Sequence, residues 1–538
     1  MSNKKRILMC AESHSINSGF GLYTREILSR LHKTDKYEIA ELSCYNTGQS
    51  ECSVPWKVYP NAVDKANADF ATYNANPINA FGQWRFDKVV LDFRPDIVFD
   101  IRDFWMMSYQ EISPLRKYYH WIVSPTVDSL PQKNQWLQVF QNADMVLGHT
   151  DWAVNYLKDS NRGINTGPAI PDSVDTTNFS PITHTLSYHR SRLLCPQGYI
   201  IGSVMRNQKR KLIPNLMDVV KKLILYSRNS NIYLYLHTSY PENTGWDIPD
   251  LLQEYDMHNN TLFSYLCTKC KKVFASRYQG AKRNCAFCES GNNAIIPNVI
   301  NGLSDSQMAS VYNLFDIYVQ YAICEGLGIP QLEAASCSIP ICSVDYSAMS
   351  EVTSKLEAYK VSYALFKELE TSAMRAVPND SDLLRILYEY YNLDNKEKAT
   401  IKQNIRQKIL DNYSWDKTAE TIVSVFDQFE PKNNWHKPLT IYPDKKVPSD
   451  LSNKEFIKFL VYEVINDPYL WKTNFIQEMI KALDDGYENK SGTINNYNRQ
   501  TAVKVLETYL NNKNYFEQVR SGSVSLKDDF IAYANKLR

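Results

Sequence analysis

An α/β chain made of two doubly wound domains facing a cleft is predicted by three observations. Apolar, strand-length runs alternate with amphipathic stretches from the N-terminus onward, the pattern pauses in a Pro-, Ser- and Thr-rich stretch at 168–192, and it then begins again. Alternation of this kind builds a parallel sheet wrapped by helices, and a restart implies a second such sheet. In the first half, strands are expected at Arg6–Ala11, Tyr37–Ser43, Asp96–Ile101, His120–Ser124 and Asp144–Gly148, with Leu22–Leu31 among the helices. In the second half they are expected at Tyr199–Val204, Asn231–His237, Asp316–Tyr321 and Ile339–Val344. The expected division is a Rossmann-like N-terminal domain over 1–190, a second Rossmann-like domain over 191–430, an insertion within it at 262–296, and a linker with a helical domain over 431–538. Pro438, Pro443 and Pro448 punctuate that linker, and Phe456–Ile465 and Phe475–Leu483 read as helices beyond it.

The chain of 538 residues is too long for one core, which suggests two to four domains. Hydrophobic residues make up 44% and charged residues 22%, the balance of a soluble globular protein. Lys and Arg number 60 against 59 Asp and Glu, so no bulk charge advertises nucleic acid or an anionic membrane, and any basic patch is local. No apolar run reaches the roughly 18 residues that argue for a membrane span. Lys4-Lys5-Arg6 leads straight into Ile7-Leu8-Met9-Cys10, a first strand rather than a signal-peptide core. The eleven cysteines are an odd number without a secretory signal, so reduced thiols and a cytoplasmic location are expected.

After the strand at Asp316–Tyr321 comes Ile323-Cys324-Glu325-Gly326-Leu327-Gly328-Ile329-Pro330-Gln331-Leu332-Glu333-Ala334. Gly326 and Gly328 permit a tight turn and close approach, and Pro330 suits the start of a helix. Free N–H groups at that helix start can receive a diphosphate. Glu325 in the loop and Glu333 in the helix can each accept hydrogen bonds from sugar or ribose hydroxyls. The plainer alternative is a loop–helix junction carrying two solvated acids.

Glu-Gly-Leu-Gly followed by Pro-x-Leu-Glu-Ala resembles the two-glutamate signature of retaining GT-B glycosyltransferases, specifically glycosyltransferase family 4 (glycosyl transferases group 1). The resemblance implies a GT-B fold and a nucleotide-sugar donor, with Glu325 on the donor sugar and Glu333 on the ribose. Ser338 departs from the family by standing where Gly is usual. Ile201-Gly202-Ser203-Val204-Met205-Arg206 with Lys211 is similar to the family's first strand of the second domain, whose Arg and Lys grip the diphosphate. Lys209 and Arg210 are neighbours, so the lysine assignment can slip. Asn17-Ser18-Gly19-Phe20-Gly21-Leu22-Tyr23-Thr24-Arg25 resembles the Gly-rich loop that passes over the donor phosphates and the acceptor, making Gly19, Gly21, Gly326, Leu327 and Gly328 donor-binding candidates. Asp175-Thr176-Thr177-Asn178-Phe179-Ser180-Pro181 and Tyr413-Ser414-Trp415-Asp416 resemble the family's exit from the first domain and its closing helix.

What the family implies is a hexosyl or pentosyl transfer without a protein nucleophile, in which the leaving diphosphate takes the acceptor's proton on the same face. The protein then positions the partners and stabilises charge, with Arg206 and Lys211 in place of a catalytic metal. A polar contact from the first domain is still needed. Asp128, in Ser124-Pro125-Thr126-Val127-Asp128, is the first candidate, and Asp103 and His149 also follow strand ends. Each reads equally as a loop cap.

Cys267-Thr268-Lys269-Cys270 and Cys285-Ala286-Phe287-Cys288 form two Cys-x-x-Cys knuckles suited to one structural Zn²⁺. A redox dithiol is the weaker alternative. The ribbon between them either staples a small insertion or, through Lys269, Lys271, Lys272, Arg277, Lys282 and Arg283 with Tyr278 and Phe287, meets a nucleic-acid acceptor. The reading is therefore a retaining glycosyltransferase using a UDP- or GDP-sugar. Its acceptor is a hydroxyl-bearing nucleic-acid base of DNA or tRNA, or alternatively a glycan, protein or small molecule. A non-catalytic module reusing the same fold to bind is the rival from another class.

Overall fold

The computed structural model describes residues 4–48, 53–113, 115–160, 162–298, 301–432, 450–465, 468–471, 473–485, 487–488, 494–495 and 498–510. The linker prolines Pro438, Pro443 and Pro448 lie outside them.

The first sheet contains β1 (Lys5–Glu12), β2 (Tyr37–Cys44), β3 (Lys57–Pro60), β4 (Ile97–Arg102), β5 (His120–Pro125), β6 (Met145–Gly148) and β7 (Thr166–Ala169). They lie in the order β3-β2-β1-β4-β5-β6-β7, and every neighbouring pair is parallel. Helices cover both faces, which explains why β1 reads as an unbroken apolar run over Ile7–Ala11 and why β4 is buried throughout, Asp100 and Arg102 included. The order runs outward from β1 in both directions, so a crevice opens past the carboxyl ends of β1 and β4.

The second sheet contains β8 (Tyr199–Val204), β9 (Ile232–His237), β10 (Thr261–Cys267), β11 (Val273–Ser276), β12 (Lys282–Arg283), β13 (Ala294–Ile295), β14 (Ile317–Gln320), β15 (Ile341–Val344) and β16 (Tyr359–Val361). Its parallel part runs β10-β9-β8-β14-β15-β16, the same winding as the first sheet. β10, at which the expected insertion begins, is thus the third parallel strand. The knuckles grow from its carboxyl end, where β11 and β13 pair antiparallel on either side of it. A hairpin of β17 (Tyr363–Lys367) and β18 (Met374–Pro378) follows and reaches the first domain, where Met374 bridges to Leu130.

Ser338, just past the helix Ile329–Ser336, has φ 61°, the left-handed turn for which Gly is the easier choice. The helix Trp415–Asp427, capped by Ser414, returns to the first domain. Its Trp415, Ile422, Val425 and Phe426 are buried with Ile7, Tyr23 and Phe99 in that domain's core. The C-terminal helices Asn453–Phe459, Asn474–Asp485 and Arg499–Leu510 enclose a separate apolar core around Leu460, Phe475, Met479 and Leu506. Lys117 of the first domain donates to the Ile465 carbonyl at 2.9 Å, tying the two together. No helix among the described residues is long and apolar enough to cross a membrane.

Candidate active site

A cavity of about 610 Å³ lies between the two sheets, and its walls are the residues that follow strand carboxyl ends. Asp103 follows β4, Thr126 follows β5, His149 follows β6, Met205 and Arg206 follow β8, Thr238 and Ser239 follow β9, and Glu325 follows β14. This is where an open parallel sheet presents ligand contacts.

The second-domain wall is built around Glu325. Its carboxylate is buried and held by three donors: Lys211 Nζ in close contact, Gln320 Nε2 at 2.9 Å and Arg210 Nη1 at 2.9 Å. Arg210 also donates to the Cys324 carbonyl at 3.1 Å, so one guanidinium fixes both the loop and its acid. A carboxylate with two oxygens accepts more than three hydrogen bonds, so Glu325 keeps capacity for a ligand hydroxyl in a fixed orientation. Burial and the neighbouring Arg210 pull the Lys211 ammonium well below the ordinary lysine range, while the Glu325 carboxylate against it favours the charged form. Arg206 extends into the cavity more freely, with Glu242 at 3.5 Å as its ion-pair neighbour.

Gly328 has φ 89° and begins the helix Ile329–Ser336, a conformation that a side chain resists. Gly326 answers a different need. A Cβ there would stand 2.5 Å from Thr126 Cγ2, so the glycine admits the first domain's β5 loop rather than a ligand. Glu333, further along that helix, accepts from Tyr312 Oη at 2.5 Å. Burial pushes its carboxyl up to about 7, with the Tyr312 hydrogen bond opposing and Asp305 reinforcing the shift.

From the first domain, Asn17, Ser18, Gly19 and Phe20 line the cavity at the start of the helix Gly19–Lys33. Ser18 caps it by accepting from the Gly21 amide at 3.1 Å. This places a helix N-terminus opposite the cations, the arrangement that favours an anion. Gly21 is buried as the third residue of that helix and is not part of the lining. Asp103 is pushed up to about 6, mainly by burial and by Asp128 nearby, against the Thr126 hydrogen bond and the pull of His149 and Arg210. His149 is buried and its Nδ1 stands 3.2 Å from Asp172 Oδ2.

The structure therefore gathers Gly19, Asp103, His149, Arg206, Lys211, Glu325, Gly326, Leu327, Gly328 and Glu333 around one cavity. Asp128 stands outside its lining. Arg375 Nη1 holds its Oδ1 at 2.8 Å, and the Cys324 thiol donates to its Oδ2 at 3.2 Å. The sequence pattern did not single out Gln320, His237 or Asp305 in the lining, and it offered Arg25 only as the end of the Gly-rich segment and Arg210 only as a neighbour. Burial holds the His237 imidazole down to about 4, so it is neutral and accepts or donates without charge.

The four cysteine sulfurs lie within 4.8 Å of one another. Cys267 and Cys288 are 3.7 Å apart, as are Cys270 and Cys285. Tetrahedral zinc with bonds of about 2.3 Å needs sulfurs about 3.8 Å apart, so the set fits that ion. The Cys270 and Phe287 amides point at the Cys267 and Cys285 sulfurs, each at 3.4 Å. In the ribbon, Arg283 lies 5.4 Å from the Tyr265 and Phe274 rings, and Tyr278 and Phe287 pack on Phe263 and Phe274. Those aromatics serve the ribbon's own packing, and Lys269, Lys271, Lys272, Arg277 and Lys282 remain exposed.

Two doubly wound domains closing on a cleft at their strand carboxyl ends, with a last helix returning to the first domain, define the GT-B class, and this chain has that fold. Among solved structures it is similar to sucrose-phosphate synthase from Thermosynechococcus elongatus, with TM-score 0.56 and 14% identity over 79% of this chain and 99% of that one. It is also similar to HepE of Anabaena in complex with UDP and glucose, with TM-score 0.53 and 11% identity over 79% of this chain and 100% of that one. A trehalose-6-phosphate structure from E. coli bound with UDP-2-fluoro glucose matches with TM-score 0.53 and 13% identity over 80% of this chain and 100% of that one. No protein-family model and no curated protein sequence matches the chain.

Proposed function

We propose that the chain is a retaining glycosyltransferase that binds a nucleoside diphosphate sugar, UDP- or GDP-linked, in this cavity and transfers the sugar to an acceptor hydroxyl. The observation that carries the reading is the pairing of Glu325, clamped by Arg210 and Lys211, with Glu333 along one wall of the cavity. Glu325 orients sugar hydroxyls, and Glu333 receives the ribose. Arg206, Lys211, Arg210 and the Gly19 helix start face the diphosphate and stabilise the charge that develops on its leaving oxygen. That oxygen takes the acceptor's proton as the glycosidic C–O bond to the diphosphate breaks and the new one forms on the same face. The likeness of the fold to structures holding UDP and glucose supports this use of the cleft.

The exposed lysines of the ribbon support a polyanionic acceptor, a nucleic acid with a hydroxyl-bearing base, over a glycan, protein or small molecule. A panel of UDP- and GDP-sugars, assayed for slow hydrolysis and for transfer to modified DNA, tRNA and glycans in parallel, tests both halves. Hydrolysis of none, with no loss on Glu325→Ala, would return the chain to the rank of a binding module. Label on a glycan alone would remove the nucleic acid. The anomeric configuration of the product, read by NMR, decides retention.

A further inference from the structure

We propose that the four-cysteine centre is a zinc site that shapes the nucleotide end of the donor cavity, so that donor affinity depends on the metal. The proposal rests on the donor reading given above.

Two connections lead from the knuckles to the cavity wall. The first runs through β13. Its Ala294 pairs with Cys267 and its Ile295 with Leu266, so the strand is fastened to the first knuckle. The Thr268 amide donates to the Asn293 carbonyl at 2.8 Å, and the Ile296 amide to Ala281 at 3.1 Å, holding the strand at both ends. The next residues, Pro297 and Asn298, line the cavity. The second connection crosses space. Gln307 Nε2 donates to the Lys271 carbonyl, inside the first knuckle's turn, at 2.7 Å. Gln307 is the third residue of the helix Asp305–Tyr312 and completes its capping box by accepting from the Ser304 amide at 3.0 Å. Asp305 and Met308 of that helix line the same end of the cavity, where Asp305 acts on the Glu333 carboxyl.

The second strut therefore ends beside Glu333, the residue placed at the ribose, and the first ends in the wall of the same cavity. Phe274, Cys285, Ala294 and Ile296 join the second domain's core, but Cys270, Phe287 and Cys288 stand at its edge. Four thiolates around one ion fasten that edge. Without the ion, four sulfurs this close have no reason to stay together, and Pro297, Asn298 and the Asp305 helix lose their support.

The test uses the full chain. Metal content should be one zinc per chain by elemental analysis. Calorimetry with UDP and GDP on the zinc-loaded protein should give binding for at least one nucleotide. After chelation that affinity should fall at least tenfold and return when zinc alone is added back. Gln307→Glu keeps the capping box but sets an acceptor against the Lys271 carbonyl. It should retain zinc and lose several-fold in nucleotide affinity. Absence of metal overturns the proposal, and so does equal affinity with and without zinc. A zinc-free chain that unfolds as a whole, judged by circular dichroism, together with a Gln307→Glu variant of full affinity, also overturns it, because the ion is then a staple alone. Zinc-loaded protein that binds no nucleotide or nucleotide sugar removes the donor reading instead.

Discussion

Glu325 and Glu333 sit eight positions apart, yet their surroundings separate their work. Glu325 is held in place by Arg210, Lys211 and the Gln320 amide. Glu325→Gln should lower kcat by about 10²–10³-fold, the scale on which loss of a fixed electrostatic contact acts, with little change in nucleotide affinity. Steady-state kinetics beside UDP calorimetry checks this. Glu333 titrates near 7 because its carboxyl is enclosed. Below that pH it holds a proton, and above it the carboxylate can accept two ribose hydroxyls. Donor affinity should therefore rise between pH 6 and 8 by about tenfold, given hydrogen bonds to a charged group worth roughly 1.5–3 kcal/mol. The same shift has the opposite sign for folding. The proton is held more tightly in the folded chain than in the unfolded one, so this residue takes stability away as pH rises from the ordinary glutamate range through about 7. Glu333→Gln should flatten both dependences, and calorimetry and urea unfolding across that range measure them.

Elements were legible where burial is two-sided. β1, β2, β4, β5, β8 and β9 each carry an apolar run and are buried along most of their length, so the expected strands at Arg6–Ala11, Tyr37–Ser43, Asp96–Ile101, His120–Ser124, Tyr199–Val204 and Asn231–His237 coincide with them to within a residue or so. β3 and β7 carry half-exposed residues and a Pro each, at the sheet's edges, and gave no apolar run to find. The site was legible to the same depth. A strand end tells which short loop faces the cleft, but not which of its residues turns inward. After β5 it is Thr126 that reaches the cavity and Asp128 that turns toward Arg375. After β8 spacing alone could not fix which cation among Lys209, Arg210 and Lys211 faces the cleft, and the fold sets Arg210 and Lys211 on Glu325. The returning helix Trp415–Asp427 shows the reverse case, since only its opening residues Tyr413-Ser414-Trp415-Asp416 announced it. Phe426 is fully buried against Phe99 and Tyr37, 5.4 Å and 6.0 Å between ring centres. Phe426→Ala should destabilise the chain by about 3–5 kcal/mol, read as a lower urea midpoint, because a cavity would open in the first domain's core.

At the scale of the whole molecule, the proposed transfer needs the two domains in register, and Asp128 sits in a contact between them. Arg375, on β18 of the second domain, reaches Asp128 and Ser129 of the first domain at 2.8 Å each and is braced by Glu368 at 3.0 Å. Cys324 lies between them, its sulfur 2.9 Å from Arg375 Nη1 and 3.2 Å from Asp128, and the next residue is Glu325. A shift of this latch thus moves the loop that carries Glu325. Two roles for Asp128 give different measurements. If it touched the sugar itself, Asp128→Asn and Arg375→Met would each reduce kcat/KM, and their effects would add. If it acts through Arg375, the double variant should fall no further than the worse single one, because both changes remove the same contact. The expected result is that non-additive pattern, with a loss of about tenfold in kcat/KM, 1.4 kcal/mol of transition-state stabilisation. Nucleotide affinity should hold in all three variants, since neither residue lines the cavity. An additive cycle would restore Asp128 to the sugar and leave the register to other contacts between the domains, among them Met374 with Leu130, Lys355 with Asp151 and the Trp152 amide with Glu351.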